Sequence, residues 1–332
     1  MLESLRHLAA GTTSGAFLFR PQGRLKEWEM VGYGHYGRSV TALAADQAGG
    51  VYVAFERGML SYTADWSHWK PLYKGLAYPD VHAVALDHRS KKVYAGTAPA
   101  ALFDASLGGD EWSSSGETFT LSRENGWSHP APPHRPALFR LLVHPKLPDT
   151  LIGGIQAGGV IVSRDGGQTW RNQKAGLSQQ LSDLCLHPDR PDRLYACNFL
   201  GFHRSDDLGQ SWRLCNHGLP YIEAQALCVH GVDPDRLLMA VKHPTERLSV
   251  LFLSHDGGEH WEIACAELPA SEGGVVTCLE SGGGAYFAGT DNGFLFGSRD
   301  GTRWELVRAA LPPVRTLLWV GEVAGKSRRP ME

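Results

Sequence analysis

Apolar residues along this chain do not recur at helical spacing. They come in short alternating runs bounded by Gly, Pro, Asn or Asp, the pattern of half-buried strands joined by tight turns. Seven runs stand out: VTALAAD (40–46), VHAVALD (81–87), LFRLLVH (138–144), LSDLCLH (181–187), AQALCVH (224–230), GVVTCLE (274–280) and VRTLLWV (314–320). Behind most of them the same frame follows: a turn, a second strand, a third strand, a turn ending in tryptophan, and a fourth strand.

That last turn gives the period. Its copies are Ser163-Arg-Asp165-Gly-Gly167-Gln-Thr169-Trp170, Ser205-Asp-Asp207-Leu-Gly209-Gln-Ser211-Trp212, Ser254-His-Asp256-Gly-Gly258-Glu-His260-Trp261 and the shorter Ser298-Arg-Asp300-Gly301-Thr-Arg-Trp304. The tryptophans lie 42, 49 and 43 residues apart. A period in the forties with four strands per unit predicts propeller blades, and seven leading runs predict seven of them. Reduced versions of the turn end at Trp69 and Trp112, and the first unit's turn ends at Trp28. The chain opens on LRHLAAG (5–11), which matches second strands such as Val93-Tyr-Ala-Gly-Thr97. The first blade therefore lacks an inner strand, and 314–320 is expected to supply it, closing the ring without a free edge. The expected fold is all-β, one seven-bladed β-propeller over residues 1–320 with a flexible tail at 321–332. An inserted loop, 104–137, breaks the repeat, and its proline-rich stretch 129–136 is expected to be stiff and to wall or cover a site.

The S-x-D-x-G-x-T-W turn resembles the Asp-box (BNR repeat) of the sialidase-like, sortilin-like, xyloglucanase-like and photosystem II assembly factor-like propellers. Its residue types have physical reasons: the short Asp side chain accepts hydrogen bonds from turn amides, Gly supplies positive φ, and Trp buries a large ring between sheets. The resemblance implies that the box is structural, joining third to fourth strands on the face away from the usual active site. Sialidase relatives would use an arginine clamp, a Tyr/Glu nucleophile and an Asp acid/base. This chain has no Arg-Ile-Pro motif near its first blade, so sialidase activity is not carried over.

Composition narrows the partners. A formal charge of −3 and a pI near 6.6 provide no basic field for nucleic acid or an acidic membrane. The six cysteines form no CxxC pair and sit in apolar runs, as buried reduced thiols do. Glu3, Arg6 and His7 interrupt what would be a leader's apolar core, so a cytoplasmic chain is expected. Gly321-Glu-Val-Ala-Gly325-Lys326-Ser327 is one residue short of a phosphate loop and has no following helix.

Candidate chemistry is therefore sought at the end opposite the boxes. His82, Arg140, Asp183, Gln225 and Arg315 open the innermost strands and are expected nearest the axis. One reading is a divalent metal ion held by His35, His82, His134 and His243, with Asp183 or Glu223 as base and His82 as proton shuttle: a metal-assisted lyase or hydrolase. Arg140 and Arg315, with Gln225 and Tyr221, would bind an anionic or sugar-like small molecule. The alternative is a non-catalytic scaffold offering loops and rim to a protein partner. His144, His187 and His230 precede turns at the opposite end and read as frame residues.

Overall fold

The computed structural model describes residues 7–321 apart from 24, 26, 116–125, 128–133, 174, 179 and 270–273 and the side chain of Met59. Residues 116–125 and 128–133 of the 104–137 insertion, with them most of the proline-rich stretch 129–136, and the tail from 322 thus lie outside the described residues. Seven four-stranded antiparallel sheets form the blades of a β-propeller. Their innermost strands, Val40–Ala45, Val81–Asp87, Leu138–Val143, Asp183–Leu186, Ala224–Val229, Val276–Gly282 and Val314–Val320, follow the seven runs read from the sequence.

Blade 1 is assembled from both ends of the chain: Val314–Val320 lies inside His7–Thr12, followed by Gly15–Pro21 and Trp28–Gly34. Leu318 pairs with Ala9, and Ala9 with Leu18. At this seam Trp319 stacks on Phe287 of blade 7, ring centroids 5.4 Å apart, and meets Trp28 edge-on at 6.4 Å. A Cβ on Gly282 would stand 2.0 Å from Trp319 Cγ, so the close approach requires glycine.

Second strands such as Val51–Phe55, Leu151–Ile155 and Ala285–Thr290 are buried at every residue. They are covered by a neighbouring blade on each face, which is why their sequences lose the in–out alternation. The cores lie between blades: Tyr195 and Phe202 of blade 5 join Leu237, Phe252 and Trp261 of blade 6 in one cluster.

The repeated turn is built as its residue types require. Ser163 Oγ donates to Asp165 Oδ1 (2.7 Å) and accepts from Gly167 N (2.8 Å), while Thr169 N donates to Asp165 Oδ1 (2.9 Å). Trp170 Nε1 reaches back to Gly167 O at 3.0 Å. The turns at Asp207, Asp256 and Asp300 repeat the Ser–Asp and Ser–Gly bonds. Blade 2 retains part of this arrangement at Thr63 and Asp65, although its sequence has drifted.

The same end holds the recurrent histidines. His144 Nδ1 accepts from Lys146 N and Leu147 N, His187 Nδ1 from Asp189 N and Arg190 N, and His230 Nδ1 from Asp233 N. Burial lowers the pKa of all three, favouring the neutral ring these bonds need. Asp46 and Asp87 accept turn amides at corresponding places in blades 2 and 3.

Candidate functional site at the axial opening

Six of the seven inner strands carry a β-bulge near their first residue. In each, one residue is left without a partner on the second strand: Thr41, His82, Phe139, Gln225, Thr277 and Arg315. In blade 5 Ser182 holds the equivalent place, its N–H bonded to Cys197 O just before the strand begins. Bulges re-aim side chains. All seven of these residues line one cavity of about 640 Å³ at the upper mouth of the axial channel, joined by Gln156, Lys242 and Asp291 from the ends of second strands.

One residue further along stand Arg140 and Asp183, the most tightly bound polar pair of the channel. Arg140 Nε donates to Asp183 Oδ1 at 2.7 Å. That oxygen also accepts from Leu184 N (2.8 Å), and Oδ2 accepts from Leu227 N (3.1 Å). Asp183 thus ties blades 4, 5 and 6 together at their inner edge. Its side chain is 6% exposed, whereas that of Arg140 is 34% exposed, an area that opens only into the channel. The carboxylate raises the guanidinium pKa further above its usual value. Among the described residues only Nε of Arg140 has a hydrogen-bond partner, and both Arg140 and Phe139 line the upper cavity and a lower one of about 400 Å³.

The other expected residues are distributed as follows. His82, half-buried, lies 3.5 Å from Asp80, whose pKa it lowers by hydrogen bonding. Gln225 Oε1 is buried without a partner among the described residues. Arg315 leans outward, donating to Ser39 Oγ (2.7 Å) and Glu56 Oε2 (2.9 Å). Glu223 is exposed and paired with Lys242 at 3.1 Å. Tyr221 packs its ring against His243, centroids 5.0 Å apart, and His243 Nδ1 accepts from Glu246 N. His35 is wedged between Phe55 and Trp69, with centroids 4.6 and 4.4 Å away. His134 stands exposed with φ +59° on the loop leading to blade 4.

The channel therefore brings His82, Arg140, Asp183, Gln225 and Arg315 together across two cavities. It does not gather His35, His82, His134 and His243 into one metal-binding group. Among the described residues no group of three His, Cys, Asp or Glu side chains is placed to share a metal ion. The donor set proposed for a divalent metal does not fit one, because His35 is held by aromatic packing and His243 by its own turn.

Sequence reading missed Phe139, Thr41 and Thr277 at the mouth. Aligning the seven runs would have put these residues in one column with His82, Gln225 and Arg315, although not the pairing irregularity itself. Glu280 was also missed; it lines the lower cavity.

No family model matches the chain, and no curated protein matches it in sequence. Solved structures do match in shape. An ancestral GH74 enzyme superposes with a TM-score of 0.57 at 15% identity, over 84% of this chain and 38% of that one. The chain thus spans about two-fifths of that enzyme's length. YCF48 bound to D1 peptide gives 0.58 at 16% identity, over 81% and 82% of the two chains. A candidate 6-phosphogluconolactonase of Bacteroides fragilis gives 0.64 at 10% identity, over 96% and 99%. Enzymes and peptide-binding proteins both appear among these neighbours, and at such identities they show the fold alone: this chain is a β-propeller.

Proposed function

We propose that the upper axial mouth binds a small anionic molecule, a carboxylate or sugar acid, and that Arg140 is its principal anion ligand. One observation carries this reading: the guanidinium is fixed through Nε by a buried carboxylate, leaving its terminal amino groups for the cavity. Such a group is held in orientation before the ligand arrives, and a guanidinium meets a carboxylate through two parallel hydrogen bonds. Gln225, with its unpartnered Oε1, and Thr277 add hydrogen-bonding capacity. His82 is the only imidazole among the described residues lining the mouth, so a lyase or hydrolase reaction would use it to carry the proton. Asp183 is then a positioning residue, since both of its oxygens are already occupied.

Thermal-shift screening against small carboxylates and sugar acids tests this. A stabilising compound whose effect vanishes in Arg140→Met supports the site. No stabiliser in the panel, or one that acts equally on the variant, overturns it.

A second reading, a protein-binding scaffold, is favoured by exposed apolar residues such as Tyr36, Phe199, Leu200 and Ile222. We also assign the four tryptophan-ended turns to the Asp-box type, supported by their shared Ser–Asp–Gly bonding. Six free cysteines support a reducing, cytoplasmic setting.

A further inference from the structure

Asp183 and Glu280 are acidic side chains on inner strands of different blades. Asp183 accepts the backbone amides of Leu184 and Leu227. Asp183 also has a guanidinium. Glu280 has no ion-pair partner among the described residues, although it lines a cavity of about 400 Å³. Alternation along the inner strands puts it two residues below Cys278, which is level with Arg140 and Asp183, so roughly 7 Å deeper. Around it the wall is apolar and soft, with Leu142, Leu318, Cys185 and Cys228 at the same depth.

We propose that this lower chamber is a second binding site, for a primary alkylammonium ion whose amine pairs with Glu280 and whose methylenes lie against the Leu and Cys wall. An unpaired carboxyl set against apolar side chains is a costly group that a cation would complete. The occupant is organic because the wall offers apolar surface and no set of metal ligands.

Protonation makes the proposal measurable. Burial pushes the Glu280 pKa up to about 8; the Ser281 and Trp319 amides and Arg140 oppose this, and Asp183 reinforces it. The remaining titratable groups facing the chamber are Cys185, Cys228 and Cys278, whose burial holds them as neutral thiols. An entering ammonium must therefore displace a proton below pH 8. Affinity should rise about tenfold between pH 7 and pH 9, with close to one proton released per amine bound at pH 7.

The experiment is isothermal titration of the full chain with hexylamine hydrochloride at pH 7 and pH 9, in two buffers of different ionisation enthalpy. Saturable binding with proton release at pH 7, rising about tenfold by pH 9 and weakened at least tenfold in Glu280→Gln, supports the proposal. No saturable binding at pH 9, affinity independent of pH, or heats at pH 7 that do not depend on the buffer overturns it. The proton count is read on the native chain, so it stands even if Glu280→Gln fails to fold. It is also separate from the carboxylate screen, which reads the upper mouth.

Discussion

Removing the Asp183 carboxylate should expose how much of the inner ring depends on one side chain. In Asp183→Ala the Arg140 guanidinium loses its charge partner, and the amides of Leu184 and Leu227 lose their acceptor. Breaking a buried ion pair costs about 3–5 kcal/mol, and an orphaned buried amide about 1–3. Because the terminal nitrogens of Arg140 face the channel, where water can replace part of the lost interaction, the total is set at about 4 kcal/mol. With an unfolding entropy of roughly 2.1 cal/mol/K per residue over a chain of 332 residues, that is a fall of about 6 °C in Tm. Arg140→Met leaves Asp183 its two amide donors and should cost about 2 kcal/mol. In the double variant no buried charge is left unpaired, so its cost should fall short of the sum by about 2 kcal/mol. Urea unfolding followed by tryptophan fluorescence, checked for an unchanged slope, measures all three. Additivity within about 0.5 kcal/mol, or an Asp183→Ala cost below about 1 kcal/mol, would refute the argument.

Two further outcomes follow from the same geometry. Since Glu280 in the folded chain keeps a proton that the unfolded chain has lost, stability should fall as pH rises from about 4.5 to about 8 and then level off. Allowing for channel water, the loss is about 2–3 kcal/mol; comparing urea midpoints at pH 5 and pH 8 checks it, and Glu280→Gln should flatten the profile. In blade 4, Asp165→Ala removes the acceptor for Ser163 Oγ and Thr169 N and should cost about 1–2 kcal/mol without altering ligand binding at the opposite end, as read by thermal unfolding with and without ligand.

The amino-acid sequence by itself determined the ring. Alternation marked the strands, the tryptophan-ended turn gave the period, and LRHLAAG against VRTLLWV predicted that the two ends of the chain share blade 1. All of these are local or periodic signals, because a blade is a local unit that repeats. It also named five residues of the channel, His82, Arg140, Asp183, Gln225 and Arg315, since each opens an inner strand.

What each of them does was decided only by tertiary structure. The bulges that set His82, Gln225 and Arg315 at the mouth are irregularities of pairing between two strands, invisible in either strand alone. Asp183 reads as a base in sequence and stands in the structure as a strut, because a blade neighbour brings Leu227 N to one oxygen and another brings Arg140 to the other. His35, His82, His134 and His243 look alike in sequence, yet aromatic packing holds His35 and its own turn holds His243, and no three of them stand together to share a metal ion. Glu280 resembles the turn acids and instead lines the lower cavity, where burial rather than its own identity sets its chemistry.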